Sequence, residues 1–171
     1  MGFYREVKAL IGNKRSLIIR IEHPKGIHNY LVGWINGTFK TATSQITLHV
    51  SEIFNPCFEI AYLFIGLLKG IIPNSVEIDE EGEIKVIQIF PYRDELVRFQ
   101  IRDYDYGEKD PEDLNNPSTY IDVIIDKKEL LCEFFNSFIK FLKNDFKQER
   151  WREINLKEYY LPLIKEIFLI F

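Results

Sequence analysis

The residues of this sequence that most clearly could take part in binding or catalysis are the carboxylates of one short loop. Six of them stand between positions 103 and 113, interleaved with two tyrosines: Asp103, Tyr104, Asp105, Tyr106, Glu108, Asp110, Glu112 and Asp113. This mixture is typical of a docking surface for a basic protein, because tyrosine supplies rigid contact area and the charges attract the partner. The alternative is a solvated loop whose charges only keep it in water, and the sequence leaves both interpretations open.

A metal site is a further interpretation of the acidic residues. Asp103 and Asp105 have the spacing of the first ligands of an EF-hand loop, but Gly107 occupies the place of the third acidic ligand and the closing glutamate is missing. The three histidines also lack Cys, Asp or Glu at ligand spacing; they are His23, His28 and His49. We therefore reject calcium and predict no metal.

Catalytic constellations have little support in the sequence. Cys57 and Cys132 lie among apolar residues with no histidine nearby in sequence, where a thiol behaves as a small inert hydrophobe. The carboxylates between positions 79 and 83 stand in a tight turn with no other reactive group, which favours a solvated hairpin tip. The sequence contains no phosphate-binding glycine loop and no nucleophile elbow. We predict a protein without catalytic activity or cofactor.

A second candidate surface comes from the alternation of two strands. If Val97, Phe99 and Ile101 face the core, the opposite phase of the same strand faces outward with Arg98, Gln100, Arg102 and Tyr104. An earlier strand presents in one phase His28, Tyr30, Val32 and Trp34. Together with the loop, this predicts the partner-binding set Tyr104, Asp105, Tyr106, Glu108, Asp110, Arg98, Arg102, Tyr30 and Trp34. The sequence does not decide whether the N-terminal segment or the final helix covers this face.

The element that positions these surfaces is a strand that runs directly into a helix, between Ile121 and Phe146. The strand alternates, and the helix then carries apolar residues at spacings of three and four: Leu130, Leu131, Phe134, Phe135, Phe138, Phe141, Leu142 and Phe146. Asp126 followed by Glu129 predicts a capping box at the start of the helix. A stripe with five phenylalanines must be covered, and the upstream strands are the available cover.

Turn signals divide the upstream part into strands and one helix. Asn36-Gly37 predicts a two-residue type I′ hairpin, with Ile35 opposite Thr38 and Trp34 opposite Phe39. Residues 56–69 predict a helix that Gly70 ends, with its richest apolar side formed by Phe58, Ala61, Tyr62, Ile65 and Leu68. A second hairpin turns at residues 79–82, and a last helix follows Pro162.

These elements predict a single α+β domain over residues 1–171. We expect one curved, mainly antiparallel sheet of about six or seven strands, with two long helices packed on one face and a C-terminal helix. The one-sided alternation of most strands is the reason, because it is typical of an antiparallel sheet with an open face.

Composition narrows the class of partner and the compartment. The net charge of −4 argues against nucleic acid, since phosphate binding requires clustered Lys and Arg. The longest apolar run is interrupted by Glu59 and Lys69 and is too short to span a bilayer, which predicts no membrane partner. The first ten residues lack a signal-peptide core, and two cysteines make no disulfide framework. We expect a cytoplasmic protein.

The order of features resembles a set of uncharacterised bacterial α+β proteins of unknown function, some of which look like immunity proteins. The residues that carry the resemblance are Asp79-Glu80-Glu81-Gly82, the junction at Asp126, Trp151 and the segment from Tyr159 to Leu163. The likeness covers about the last two-thirds of the chain and includes no catalytic motif. It implies a protein that neutralises a toxin domain by covering its active site, an analogy at the level of the fold.

The sequence therefore predicts a non-catalytic cytoplasmic binding protein. Its sharper form is an immunity protein whose partner is a basic toxin domain. Two alternatives remain: a small-molecule binder or enzyme with a pocket between sheet and helices, and a structural homo-oligomer, suggested by the apolar run Ile167 to Phe171.

Overall fold

A computed structural model of the chain describes residues 16–24, 33–51, 57–104, 118–147, 158 and 160. Its elements, in order, are β1 (Ile18–Glu22), β2 (Trp34–Lys40), β3 (Gln45–Ser51), α1 (Cys57–Leu68), β4 (Asn74–Asp79), β5 (Ile84–Arg93), β6 (Leu96–Asp103), β7 (Thr119–Asp126) and α2 (Lys127–Lys140), which continues into a π-helical turn (Phe141–Asp145). The predicted helix after Pro162 lies outside the described residues.

The class is α+β, as predicted, but the expectation of one sheet of about six or seven strands with two long helices packed on one face was wrong. The strands form two antiparallel sheets, one with the order β1-β2-β3 and one with the order β4-β5-β6-β7. The buried faces of the two sheets meet where Phe39 and Phe99 stack with ring centroids 5.9 Å apart. Alternation in sequence reports that one face of a strand is buried, and it does not report whether a helix or a second sheet covers that face.

The Asn36-Gly37 hairpin was also wrong, because β2 runs straight through these two residues. Gly37 pairs with Leu48 of β3, and Trp34 pairs with Ser51 rather than with Phe39. The chain reverses later, at 41–44, where Thr41 N donates to the Ser44 carbonyl at 2.8 Å. The continued alternation of apolar residues on both strands holds the longer pairing and outweighs the local turn preference.

The β4–β5 hairpin is confirmed, and it contains the two-residue turn that Asn36-Gly37 lacks. Glu81 and Gly82 both have positive φ, at 62° and 122°. Glu80 N donates to the Glu83 carbonyl at 2.8 Å, and Gly82 N donates to Asp79 Oδ1 at 3.0 Å. The turn therefore fixes which residues of β4 bond to β5.

Helix α1 ends at Gly70, as predicted. Gly70 N donates to the Leu67 carbonyl and Ile71 N to the Gly66 carbonyl, which is the bonding pattern of a Schellman motif. Its buried side was predicted only in part: Ala61 and Ile65 are buried and Phe58 and Leu68 partly buried, but Tyr62 is 53% exposed. The prediction also left out three buried residues, Leu63, Phe64 and Leu67. A helix that is apolar on nearly all sides offers little periodicity from which to predict its orientation.

Helix α2 and its apolar stripe are confirmed. All eight residues of the stripe are buried, and Phe134 stacks on Phe64 of α1 with ring centroids 3.7 Å apart. Asp126 caps the helix by accepting from Glu129 N at 3.0 Å. The reciprocal half of the capping box is replaced, because Glu129 Oε1 accepts instead from Ser16 N at 3.1 Å. This bond ties α2 to the residues just before β1.

Candidate functional site

The outer face of the four-stranded sheet is the side opposite Phe99. Its members, in neighbouring strands, include Ser75, Glu77, Val86, Gln88, Phe90, Arg98, Gln100, Arg102, Asp122 and Ile124, of which Val86 is buried. Val97, Phe99 and Ile101 are buried on the other side, so the predicted orientation of β6 is confirmed. Register places Arg98 between Phe90 and Ile124, and Gln100 between Gln88 and Asp122.

Hydrogen bonds hold the polar side chains of this face in place. Arg98 donates from Nε and Nη2 to the two oxygens of Asp122 at 2.8 and 2.6 Å, and Gln100 Nε2 donates to Asp122 Oδ2 at 3.0 Å. These bonds from Arg98 are the main cause that lowers the pKa of the Asp122 carboxyl. Such a bidentate pair fixes the plane of the guanidinium on the strand surface.

Apolar and aromatic groups flank this network. Tyr92, in β5, is 57% exposed, and Ile124, beside Arg98 on β7, is 40% exposed. The face therefore combines a fixed arginine with exposed aromatic and aliphatic area, which is the composition of the energetic centres of protein interfaces.

The structure brings together only part of the predicted binding set. Arg98 and Arg102 share the outer face, and Arg102 Nε donates to Gln88 Oε1 at 2.9 Å. Tyr104 is half-buried and follows β6, where its N donates to the Ile84 carbonyl at 2.9 Å. Trp34 begins β2 in the other sheet, so it does not lie on the strand face of Arg98 as a single sheet would require. The remaining members lie outside the described residues: Tyr30, Asp105, Tyr106, Glu108 and Asp110.

An ionic cluster that sequence reasoning missed stands where the acidic loop begins. Lys85 is only 7% exposed, and its Nζ donates to Asp103 Oδ1 at 2.9 Å and to Glu83 Oε2 at 3.0 Å. Burial alone lowers the pKa of Lys85, but the bonds to Asp103 and Glu83 outweigh it and the pKa is raised. Lys85 is therefore a structural cation at neutral pH, and neither a nucleophile nor a base. Its position in the phase of the buried residues Ile87 and Ile89 was the available signal.

The ends of the acidic loop are also tied together. Asp103 N donates to the Ser118 carbonyl at 3.0 Å, and the Tyr120 hydroxyl contacts both carboxylate oxygens of Asp103 at 3.2 Å. Asp103 therefore stabilises the end of the sheet through its hydrogen bonds. It lies at the base of the loop and is not one of the carboxylates available to a partner.

His23 and Cys57 are buried in structural surroundings, whereas Cys132 is exposed. His23 is buried beside Phe141 and Phe146; its Nδ1 lies 3.2 Å from the Trp34 carbonyl, and its Nε2 accepts from Lys147 N at 3.2 Å. Burial and, to a lesser extent, Glu59 raise the pKa of the Cys57 thiol to about 12. Within the described residues no group of three or more His, Cys, Asp or Glu side chains is arranged to hold a metal ion.

Two open grooves lie between a strand and a helix among the described residues; the sequence offered a pocket between sheet and helices as an alternative, without naming the residues that line it. The larger, of about 710 Å³, lies between β1 and α2 and is lined by charges of both signs, among them Arg20, Glu22, Glu133 and Lys140. The smaller, of about 500 Å³, lies between α1 and the edge strand β4, beside Glu59, Tyr62 and Glu77.

Neither α1 nor α2, the helices of the described residues, is long and apolar enough to cross a membrane. Comparison with protein-family models, with curated proteins and with solved structures finds no match to this chain.

Proposed function

We propose that this chain is a non-catalytic binding protein that recognises another protein through the outer face of its four-stranded sheet. The observation that carries the proposal is the fixed Arg98–Asp122–Gln100 network with exposed Tyr92 and Ile124 on the same sheet. Arginine and tyrosine are enriched where binding energy concentrates in protein interfaces. Side chains that are already ordered also lose less conformational entropy when a partner docks.

The sharper form of the proposal is an immunity protein that acts in the cytoplasm on a basic toxin domain. Its support is the net charge of −4 and the acidic loop sequence that follows β6. Negative charge on the protein speeds association with a basic partner, and that acceleration weakens as salt is added. The sheet face would then supply the short-range contacts and the loop the long-range attraction.

The direct test is association with the products of the reading frames next to the gene, measured by surface plasmon resonance. With a bound partner, Arg98→Ala and Tyr92→Ala should each weaken affinity about tenfold or more, as expected for central interface residues. A matched pair of variants is Ile124→Ala on the outer face, 40% exposed, and its control Ile18→Ala on β1, 43% exposed. The first should weaken binding and the second should not. Equal effects at Ile124 and Ile18 would refute the outer face as the interface.

The immunity form has its own test. Charge reversal at Asp105 and Asp110 should slow association and flatten its dependence on salt, with little change in dissociation. An unchanged association rate would remove the loop from the interface. If the neighbouring frames encode no toxin-like partner, the immunity form fails while protein binding can still be tested.

A second candidate function, small-molecule binding, is favoured by the groove between β1 and α2. Its volume of about 710 Å³ is within the range of ligand sites, and its lining offers Arg20, His23 and Lys140 together with Glu22 and Glu133. A thermal-shift screen of metabolites tests it. Stabilisation that Lys140→Ala abolishes would favour this function over protein binding.

A further inference from the structure

The turn after β4 determines which backbone groups of this edge strand bond to β5 and which point away from the sheet. Glu80 N bonds to the Glu83 carbonyl across the turn, so Ile78, Val76 and Asn74 are the residues that bond to β5. The N–H and C=O groups of Ser75, Glu77 and Asp79 then point away from the sheet. Consistent with this, Ser75 N donates to the side chain of its neighbour Asn74 at 3.0 Å. Within the described residues no strand pairs with this edge.

The outward backbone groups of Ser75 and Glu77 face an open groove, whereas the far end of β4 lies beside β3, where His49 N donates to Glu80 Oε1. Asn74, Ser75, Val76 and Glu77 form one side of it, and Glu59, Tyr62 and Leu63 of α1 form the other. Helix α1 touches the start of β4, where Asn74 Nδ2 lies 3.5 Å from the Leu63 carbonyl. Farther along β4 the space of about 500 Å³ opens between helix and strand. An added strand needs about 4.8 Å beside the existing one, together with free backbone donors and acceptors.

The groove is lined by acidic side chains, which favour a positively charged ligand. Glu77 projects to the outer face of the sheet and Glu59 lies on the helix side, and both side chains are exposed. Among the described residues that line the groove none is basic. Tyr62, 53% exposed, adds an aromatic wall beside Glu59. A segment paired with β4 thus meets a carboxylate on each of its two faces.

We propose that this groove takes an extended, basic segment of a protein partner, which adds to the four-stranded sheet as a strand beside β4. The inference rests on the proposed function in requiring a protein partner, but it uses the sheet edge rather than the outer face. Backbone pairing would supply affinity, and Lys or Arg side chains beside Glu77 and Glu59 would supply selectivity.

The test uses a labelled synthetic peptide, acetyl-Lys-Thr-Lys-Thr-Lys-Thr-amide, with the full chain. Fluorescence anisotropy should show saturable binding, and amide shift changes in NMR spectra should be confined to residues 59–63 and 74–79. The same peptide with Glu in place of Lys should not bind. A peptide whose alternate amides are N-methylated should also fail, because it cannot pair with β4. Absence of saturable binding at millimolar peptide, or equal binding of the Lys and Glu peptides, would overturn the inference.

Variants of the chain locate the site. The double change Glu59→Lys and Glu77→Lys should weaken the peptide about five- to thirty-fold, because two surface attractions become repulsions. The control is the double change Glu95→Lys and Asp145→Lys, which alters net charge equally at two exposed residues outside this groove and should have little effect. An equal loss of peptide affinity in both double variants would mean that only overall charge matters, and it would refute the groove as the binding site.

The outcome is separable from that of the proposed function. Arg98→Ala should leave peptide binding intact, since Arg98 does not line the groove. A partner that binds through the outer face while no peptide binds at β4 would refute this inference alone. Peptide binding at β4 with a partner insensitive to Arg98→Ala would refute the outer face alone.

Discussion

The edge strands β1 and β4 both have a helix and a groove beside them, but the two helices contact them differently. At β1, the Ser137 hydroxyl of α2 donates to the Ile19 carbonyl, and Glu129 of the same helix accepts from Ser16 N. At β4, which we call the open edge, the hydrogen bond to α1 comes instead from the side chain of Asn74, and a groove lies beside Ser75, Val76 and Glu77. A helix covers an edge when it carries short polar side chains at the right places, and an apolar helix such as α1 does not.

The largest expected effect lies in the core that holds α2, the helix beside β1, against α1. Phe134→Ala removes a ring that stacks on Phe64 and contacts Phe135 and Phe138. We expect the free energy of unfolding to fall by about 3–5 kcal/mol. Urea denaturation measures this fall. The exposed Ile124→Ala serves as control and should change it by less than about 0.5 kcal/mol. A similar loss in both variants would mean that the aromatic stripe does not secure α2.

A smaller effect tests the hydrogen bond by which α2 contacts the backbone of β1. Ser137→Ala leaves the Ile19 carbonyl without its side-chain donor and should cost about 0.5–1.5 kcal/mol of unfolding free energy. Amide hydrogen exchange should accelerate along β1. The matched change at the open edge, Ser75→Ala, removes an exposed hydroxyl and should alter neither quantity. If exchange along β1 stays unchanged in Ser137→Ala, the two edges do not differ in the way described.

The smallest effect concerns how the Arg98–Asp122 pair on the outer face changes the free energy of unfolding at acidic pH. Because Arg98 lowers the pKa of Asp122, the pair stabilises the fold above the ordinary carboxyl range, and this contribution is lost as the pH falls through the lowered pKa. Asp122→Asn should therefore flatten the decline of unfolding free energy below about pH 4. Asp94→Asn, in the exposed β5–β6 turn, is the control. A decline as steep in Asp122→Asn as in the unaltered protein would show that the pair contributes no stability.

Alternation and helical periodicity predicted the elements that bury a continuous apolar face. They gave β6 and its outward arginines, the β4–β5 hairpin, and α2 with its cap at Asp126. They failed where the outcome depends on contacts distant in sequence. The division into two sheets, the pairing of Gly37 with Leu48 and the orientation of α1 all depend on what packs opposite, which a local pattern does not contain.

The candidate surfaces divide in the same way. The outward phase of β6 was visible in the sequence, but the link from Arg98 to Asp122 joins residues 24 positions apart. A pocket between sheet and helices was one alternative, but the residues that line the grooves could not be named, because a groove is the space between elements and no residue type marks it. Lys85 was overlooked because a cation in a buried phase looks exposed until its partners Glu83 and Asp103 are known.

Gly66 also governs how many donors the open edge can offer. A methyl group at this position would lie 2.6 Å from Asn74 Nδ2, so alanine there would force the Asn74 amide to swing aside. The same amide occupies Ser75 N through its oxygen, and its departure would release that N–H to an incoming chain. The absence of a side chain at Gly66, inside a buried helix, thereby keeps the Ser75 N–H of the neighbouring strand from pairing with an added strand.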